Sequence, residues 1–440
     1  MAATCGGVRA TCQAGTLTCC CGAIFNRQGL SGRLLVPKGS FYPLRSKSAH
    51  KICIVIAFFL SLSLLSQEPV LLELEAPDGS FVSHDLAAPL AAPLPDGVAF
   101  IRYSAKSSES LEPAGGARVQ LLDGGRVMAG FLGGDGDFLD LSIIGDVRLR
   151  VSVEELSSVV IEERIPLDWS RKLEAAPEGD RLYRLAPRGL ERLDGTLEEF
   201  TAEGVLFTTR VGQKSLAWGE ICALFIEALG DELEAPPSGT PVVVDLVDGG
   251  RVHAGLLEIR AEEMDLVTRA GRGLRLPQAC VKEVFVLDAG AAFLSELQPV
   301  ASKTEGSPFG DGFGMLWPHR VDRSVTGGLL SAGGELYTRG IGVHAPSRLE
   351  WTLDGSWNAL RMSAAIDDEV LSLPSRGSVV FRVFVDDELR FESVSTSAAL
   401  SVTEIAEIDL RDAKKLILEV DMDRDMHVAD RADWLRPVLY

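Results

Sequence analysis

The hairpin pattern that decides the fold lies at residues 117–132, which read ARVQLLDGGRVMAGFL. An alternating apolar stretch leads into Asp-Gly-Gly-Arg, and a second alternating stretch follows. Successive side chains of a strand point to opposite faces, so the alternation predicts two half-buried strands. Asp-Gly between such strands is a strong hairpin signal, because the tight turn needs residues with positive φ.

The pattern recurs along the chain. Residues 242–257 read VVVDLVDGGRVHAGLL, and residues 189–229 repeat the scheme around Asp194-Gly195. We therefore predict three copies of a roughly five-stranded meander, at about 116–165, 185–230 and 240–290. A lone meander hides its apolar face poorly, so each copy is expected to curl into a small barrel or pack on its neighbours. The pattern is similar to Sm-like or SH3-like barrels. The repeats would then serve either as a scaffold for protein partners or as a plain spacer.

Charge divides the chain into two parts. The formal net charge is −20, yet residues 1–66 hold seven Lys and Arg and no Asp or Glu. Residues 67–440 therefore carry 36 basic and 63 acidic side chains, a net charge of −27. Such a surface repels phosphate backbones, which argues against nucleic-acid binding.

An apolar run, ICIVIAFFLSLSLLS at residues 52–66, separates these parts. It follows Lys47 and Lys51 and is shorter than the roughly 20 residues of a membrane-spanning helix. We predict that residues 1–66 are a basic tail plus a signal peptide, and that the protein is secreted or belongs to the cell envelope. The alternative is an uncleaved signal anchor that tethers the protein to a membrane.

Cysteine usage agrees with this division. Six of the eight cysteines lie at or before the apolar run, and only Cys222 and Cys280 follow it. The exported part is therefore no disulfide scaffold, and these two thiols are predicted to be buried singly, with a disulfide between them as the alternative. Residues 67–115, rich in Pro and Ala, are predicted to form a linker with one or two short strands.

The region from 294 to 440 reads as a β-sandwich. It contains a series of short alternating runs with turn signals between them. In 377–386, GSVVFRVFVD, the apolar residues at alternate positions share one strand face. The other predicted strands are 347–353, 358–366, 388–394, 402–410, 414–422 and 434–440. The whole chain is therefore predicted to be all-β, with a C-terminal sandwich preceded by three small barrel-like repeats.

Several motifs of this last region resemble the NPCBM family, carbohydrate-binding modules found beside glycoside hydrolase family 98. The motifs are YTRGIGVHAPS from residue 337, IDDE from residue 366, GSVVFRVFVD from residue 377 and DRADW from residue 430. The resemblance implies a galactose-binding-like jelly roll that binds glycan. The sequence departs from the family pattern at Ala365, Arg431 and Arg436, where the family usually has Gly, His and Asp.

Aromatic and histidine side chains are the first candidates for a sugar site. Trp317 lies in a glycine-rich loop and is the best candidate for an exposed stacking platform. His344 follows two glycines and either anchors a loop or contacts the glycan. Catalysis by His344 would need a nucleophile or an orienting acid, and no such motif accompanies it.

Acidic clusters supply the remaining candidates. Asp367 and Asp368 would contact a ligand or form a structural turn, whereas Asp430, Asp433 and Trp434 match the terminal family motif. Trp434 would be either a sugar platform or a core residue. Asp421, Asp423 and Asp425 alternate as in a calcium loop, but Gly and Glu are missing at the positions an EF-hand requires. The alternatives are a structural calcium site of another kind and a solvated acidic loop.

The sequence thus predicts a non-catalytic carbohydrate-binding protein that recognises a glycan or polysaccharide with the loops at one end of its sandwich. No cofactor is expected apart from the calcium ion considered above. A structural adhesion protein whose repeats bind protein partners is one alternative. A glycoside hydrolase with catalytic residues hidden in residues 67–290 is another.

Overall fold

The structure is a computed structural model that divides into two compact units, Met1–Glu68 and Pro69–Tyr440. It describes residues 8–13, 16–21, 70–104, 111, 114–166, 172–187, 189–228, 238–304, 317–397, 402–423 and 428–440. In the first unit, strands β1 (Val8–Gln13) and β2 (Thr16–Cys21) pair antiparallel. The apolar run at 52–66 lies outside the described residues, and in the part that is described no helix has the length and apolar character needed to cross a membrane.

The second unit begins with strands and then forms the three repeats. The first four strands are β3 (Leu71–Glu75), β4 (Phe81–Asp85), β5 (Leu90–Ala91) and β6 (Phe100–Tyr103). Repeat 1 contains β7 (Ala117–Leu121), β8 (Arg126–Gly134), β9 (Phe138–Ile143), β10 (Val147–Ser152) and β11 (Leu156–Ile161). Repeat 2 contains β12 (Asp180–Ala186), β13 (Gly189–Phe200), β14 (Gly204–Thr209), β15 (Gly212–Ala217) and β16 (Ile221–Phe225). Repeat 3 contains β17 (Thr240–Leu246), β18 (Arg251–Ile259), β19 (Glu263–Thr268), β20 (Gly273–Pro277) and β21 (Val281–Val286).

Each repeat closes on itself, because its first strand pairs with its fifth: β7 with β11, β12 with β16 and β17 with β21. The second strand of each repeat carries a register shift in its C-terminal half, at Phe131/Gly133, Leu197/Glu199 and Leu256/Glu258. A bulge of this kind bends a strand sharply, which lets so short a meander curl into a barrel. The repeated sequence pattern thus corresponds to a repeated structural unit.

The hairpin prediction holds for repeats 1 and 3 and differs for repeat 2. Gly124 and Gly249 adopt positive φ, and Asp123 and Asp248 each accept the backbone N–H two residues on. In repeat 2, however, Asp194-Gly195 lies inside the long strand β13. A Cβ at position 195 would stand 2.0 Å from the carbonyl oxygen of Thr208, so this glycine permits a close strand approach rather than a turn.

Residues 67–115 are predicted as a linker with one or two short strands, but the structure places four strands between residues 71 and 103. β3 pairs with β4 and β6, β6 pairs with β21, and β5 pairs with β18. The Pro- and Ala-rich turns conceal this pattern in the sequence, because the strands are short and two of them, β5 and β6, pair with strands far along the chain. The segment is therefore part of the repeat body.

The C-terminal module is a sandwich of two antiparallel sheets. One sheet has the order β24–β27–β34–β29–β32 with β22 beside β34, and the other has the order β23–β28–β33–β30–β31. The strands are β22 (Ala292–Phe293), β23 (Ala301–Thr304), β24 (Arg320–Val321), β25 (Leu330–Ala332), β26 (Glu335–Tyr337), β27 (Gly340–His344), β28 (Ser347–Thr352), β29 (Ala359–Ile366), β30 (Val379–Val385), β31 (Glu388–Glu392), β32 (Thr403–Asp409), β33 (Lys415–Met422) and β34 (Arg431–Leu439). Short 3-10 turns occupy Ile144–Asp146, Val153–Glu155, Glu162–Arg164, Gln278–Cys280, Leu294–Glu296 and Asp368–Ser372.

The core of the module lies between the two sheets. Phe381 of β30 meets Trp434 of β34 edge to face, with ring centroids 5.1 Å apart. The alternation of β34 sends Arg431, Asp433 and Leu435 to the opposite, outer face. There the hairpin β25–β26 covers the sheet, and Leu330 packs against Leu435 and Ala365. The all-β prediction is confirmed, and all seven strands predicted in the module are present.

The repeat body and the module meet through buried charges. Arg126 of repeat 1 and Arg251 of repeat 3 close the two Asp-Gly-Gly-Arg turns and form a β-bridge with one another. Both guanidinium groups reach the fully buried carboxylate of Asp322 in the module, at 3.5 Å and 2.9 Å. Asp245 of β17 joins them by accepting from Arg251 at 3.0 Å and from Arg339 of the module at 2.7 Å.

A second group of ion pairs lies on the same boundary. Arg436 of β34 contacts Glu75 at 3.0 Å and Glu283 at 2.8 Å. Arg361 of β29 adds a contact to Glu75 at 2.6 Å. Burial alone would raise the pKa of Glu75, but Arg436, Arg102 and Arg361 outweigh it and hold the pKa below its ordinary value. The departure from the family pattern at position 436 therefore serves the contact with the repeat body.

Both cysteines of the second unit are buried and free. Burial raises the pKa of each thiol, and that of Cys280 to about 11. The prediction of singly buried thiols is confirmed.

Candidate functional site

A cleft of about 280 Å³ opens beside Trp317 and His344 in the module. The two rings stack almost parallel, with centroids 5.5 Å apart and planes 10° apart. The guanidinium carbon of Arg431 stands 5.6 Å from the centroid of the Trp317 ring. The other lining residues are Leu373, Pro374, Ser375, Val428 and Ala429. The cleft thus combines an aromatic wall, a guanidinium group and apolar side chains.

The strand register explains why these side chains meet. His344, the last residue of β27, lies directly opposite Arg431, the first residue of β34. Directly opposed residues of an antiparallel pair project from the same face. Trp317 comes three residues before β24, which pairs with the other edge of β27. The sequence singled out Trp317 and His344 separately, and the sheet brings them together.

His344 is buried, with 7% of its surface exposed. Its Nδ1 lies 2.8 Å from the carbonyl oxygen of Ala345, which can only accept, so Nδ1 carries the proton of this bond. This bond fixes the plane of the imidazole ring, and the ring in turn supports Trp317 from one side. The imidazole therefore orders the aromatic wall.

Arg431 is the member of the site that the sequence did not select. It was noted only as a departure from the family pattern, yet its guanidinium lies at the aromatic wall. The carboxylate of Glu369 forms an ion pair with the Arg431 guanidinium at 3.2 Å. A guanidinium carries five N–H donors, so one ion pair leaves others for a ligand. The feature that identifies Arg431 is its position opposite His344, and this position is known only once the strand register is known.

Asp367 and Asp368 do not reach the cleft. Asp367 is buried and accepts from the backbone N–H and the hydroxyl of Ser331 at 3.1 and 2.9 Å. Asp368 accepts from the backbone N–H groups of Gly333 and Gly334 at 3.2 and 2.7 Å. Both carboxylates hold the β25–β26 hairpin on the sheet. Of the two predicted roles, the geometry fits the structural one.

Three residues of the terminal motif, Asp430, Asp433 and Trp434, are interior. Trp434 is fully buried against Phe381, so its ring cannot serve as a sugar platform, and this part of the prediction is corrected. Asp430 is also buried and accepts the backbone N–H of Ser378 at 2.8 Å. These three residues thus stabilise the sandwich next to the cleft, and of the predicted motif only Arg431 lines it.

Asp433 is a buried acid beneath the hairpin. It lies on the outer face of β34 with no exposed surface. Burial raises the pKa of Asp433 well above its ordinary value, and the neighbouring carboxylates of Asp367, Glu369 and Asp368 raise it further. These effects favour the protonated form of Asp433, which can donate a hydrogen bond to Asp367.

Two of the three predicted calcium residues have other partners. Asp421 lies 2.9 Å from the guanidinium of Arg382, and Asp423 accepts a hydrogen bond from the hydroxyl of Ser395. Asp425 lies outside the described residues. Within the ranges that the structure describes, no three His, Cys, Asp or Glu side chains converge as metal ligands.

The class of the module follows from its fold and its cleft: it is an antiparallel β-sandwich with an aromatic cleft at one end of a sheet. A family model described as NPCBM/NEW2 domain matches residues 290–440, which confirms the resemblance for about a third of the chain. The predicted start at residue 294 lies four residues inside this match. None of the curated proteins matches the chain.

Solved structures similar to this chain include carbohydrate-binding modules of bacterial proteins. A CBM51 module of Clostridium perfringens GH95, in complex with methyl-galactose, is 22% identical with a TM-score of 0.30, over 34% of this chain and 99% of that one. The CBM51-2 and INT domains of Clostridium perfringens ZmpB, in complex with GlcNAc, are 24% identical with a TM-score of 0.29, over 42% of this chain and 37% of that one. The tandem CBM51 modules of a Streptococcus pneumoniae family 98 glycoside hydrolase are 12% identical with a TM-score of 0.26, over 59% of this chain and 87% of that one.

Proposed function

We propose that this protein is a non-catalytic carbohydrate-binding protein and that its glycan binds in the cleft between Trp317 and Arg431. The observation that carries the proposal is the Trp317–His344 stack at the wall of a cleft of about 280 Å³. A sugar ring presents C–H groups to an aromatic face and hydroxyl groups at its rim. The ring of Trp317 suits the former, and the guanidinium of Arg431 suits the latter.

The family match supports this class of ligand, since NPCBM/NEW2 is a family of binding modules. The burial of the acids supports a non-catalytic role. Glycoside hydrolysis by the usual route needs two carboxyl groups that flank the scissile bond. Asp367 and Asp433 are neighbours in the module, but both are buried under the hairpin and neither can reach a glycosidic bond.

The direct test is calorimetric titration of the full-length protein with methyl-galactose and with N-acetylglucosamine, alongside a glycan array. Trp317→Ala is expected to weaken binding of whichever sugar binds by about thirtyfold, since loss of a tryptophan hot spot costs about 2 kcal/mol. Trp317→Phe keeps an aromatic face and should retain part of the affinity. An unchanged affinity in Trp317→Ala would reject the cleft as the site.

Two further expectations belong to this proposal. Asp421 already faces the cation Arg382, so we propose that binding needs no calcium, and EDTA should leave the affinity unchanged. Export by the apolar run at 52–66 is proposed as well. N-terminal sequencing of the protein recovered from the culture medium would show cleavage, and recovery in the membrane fraction would show an anchor. Release of reducing sugar by the purified protein would contradict the non-catalytic role.

A further inference from the structure

A second cleft, of about 480 Å³, lies in the repeat body between repeat 1 and repeat 3. It is lined by residues of β10 and β20. In the described part of the chain, β10 pairs only with β9 and β20 pairs only with β19, so both are edge strands. Its apolar lining residues are Leu132, which is exposed, and the buried Leu141, Leu149 and Leu274. A cleft of this volume holds a ring-sized ligand.

Three arginines but only one acid stand at this cleft, although the second unit as a whole is strongly acidic. Arg148 and Arg150 come from β10, Arg272 comes from the turn before β20, and the acid is Asp140. Arg148 and Arg150 stand at alternate positions of one strand and therefore project from the same face. Cations from two different repeats thus converge on one space.

A comparison of repeats 1 and 3 shows that Arg150 has a structural role that the other two arginines of the cleft do not share. In repeat 1, Arg150 stands opposite Asp140 and contacts it at 3.4 Å. In repeat 3, Arg275 stands opposite Asp265 in the same way and contacts it at 2.9 Å. This cross-strand ion pair therefore belongs to the repeat unit itself. Arg150 has a further contact to Asp135 at 2.6 Å, so its charge is compensated.

Arg148 and Arg272 are not part of this cross-strand ion pair, and neither has an equivalent arginine in the other repeat. In the aligned repeats, Arg148 corresponds to Gly273 and Arg272 corresponds to Val147. Both side chains are exposed, and no carboxylate among the described residues pairs with either of them. The guanidinium of Arg272 is held 5.6 Å from the centroid of Phe138, and that of Arg150 lies 4.7 Å from the same centroid. The ring therefore positions two of the three cations at the mouth.

We infer that this cleft binds a ring-sized organic anion, a saccharide that carries a carboxylate or a sulfate group. Guanidinium groups bind both oxyanions with parallel N–H···O bonds, and two uncompensated arginines supply the charge. The exposed side chain of Leu132 offers apolar surface to the C–H face of a sugar ring. The site is separate from the Trp317 cleft and does not depend on the function proposed for it.

The test is titration of the full-length protein with three probes at constant ionic strength: digalacturonate, galactose 6-sulfate and methyl-galactose. One of the two anions is expected to bind, which also distinguishes a carboxylate from a sulfate ligand. The double variant Arg148→Gln/Arg272→Gln should weaken that binding at least tenfold. The charge-matched variant Arg275→Gln/Arg390→Gln, altered at exposed arginines outside the cleft, should bind as the wild type does.

Trp317→Ala should also leave the binding of the anion unchanged, so failure of this inference is distinct from failure of the proposed function. All substituted arginines are solvent-exposed, and circular dichroism would verify that the variants fold. The inference is overturned if neither anion binds at millimolar concentration. It is equally overturned if both double variants lose affinity to the same extent, since that result indicates nonspecific charge attraction.

Discussion

Replacement of Asp322 by Asn should destabilise the contact between the repeat body and the module. Asp322 is fully buried and receives hydrogen bonds from Arg251 at 2.9 Å and from the backbone N–H of Gly340 at 3.0 Å. Arg126 approaches the same carboxylate to 3.5 Å. The substitution preserves the size of the side chain but removes its charge, and the amide would present an N–H group toward the arginines.

The magnitude follows from the burial of the partners. Removal of one member of a buried ion pair typically costs 3–5 kcal/mol, because the other charge stays buried without compensation. Two contacts persist in Asp322→Asn: the amide oxygen can still accept from Gly340, and Arg251 keeps Asp245 at 3.0 Å. We therefore expect a loss near the lower limit, about 3 kcal/mol, or about a hundredfold in the equilibrium between folded and unfolded forms.

The loss of stability caused by Asp322→Asn should depend on pH. Burial would raise the pKa of Asp322, but Arg251, Arg339, Arg126 and the Gly340 N–H together hold it below its ordinary value of 3.8. A carboxyl with a depressed pKa stabilises the fold above its unfolded pKa, and this contribution is lost as the pH falls through the folded pKa. The difference between variant and wild type should therefore be complete at pH 7 and shrink below about pH 4.

Urea unfolding followed by tryptophan fluorescence measures this difference, since Trp351 and Trp434 lie in the core of the module. Hydrogen exchange at the Gly340 amide provides a local readout of the same contact. Asp409→Asn is the matched control, because among the described residues Asp409 forms an ion pair only with the exposed Arg411, and removal of this pair should produce no measurable change. A free energy of unfolding equal to that of the wild type at pH 7 would refute the buried contact.

Two further predictions concern buried groups. Because the pKa of Asp433 is raised, first by burial and then by Asp367, the folded protein keeps a proton that the unfolded chain releases above about pH 4. Stability should fall with rising pH from that point, by up to about 1.4 kcal/mol per unit, and Asp433→Asn should remove this fall when unfolding is measured from pH 4 to 8. A parallel pH dependence in both proteins would contradict a protonated Asp433. The thiol of Cys280, whose pKa is raised to about 11, should resist iodoacetamide at pH 8 in the native protein and react after unfolding, as peptide mass spectrometry would show. Rapid labelling of the native protein would contradict its burial.

The candidate site shows where prediction from sequence stops. Alternation and glycine pointed to Trp317 and His344, and the cleft contains both. Carboxylates were also predicted to contact the sugar, but three of them have structural roles. Asp367 and Asp368 bind the β25–β26 hairpin, and Asp433 is buried beneath it. The amino-acid sequence does not show whether a carboxylate faces solvent or accepts hydrogen bonds from backbone N–H groups. Arg431 entered the cleft only because its strand lies opposite His344.

The repeated Asp-Gly-Gly-Arg motif shows the same limit of sequence-based prediction for the fold. Its Asp and Gly residues are explained by the turn, which is a local requirement. Its two arginines meet each other and Asp322, which is 196 residues from Arg126 and 71 residues from Arg251. No local pattern specifies such a partner.

By itself, the sequence determined the all-β class, the three repeats, the seven strands of the module and the two lone cysteines. Alternation along a strand, positive φ in a turn and spacing between turns are properties of neighbouring residues, so they can be read locally. Only the tertiary structure decided that residues 70–103 complete the repeat body, that Arg126, Arg251 and Arg436 join it to the module, and that Trp434 is interior. Those outcomes depend on which distant strand becomes a neighbour, because burial and ion pairing act through space rather than along the chain.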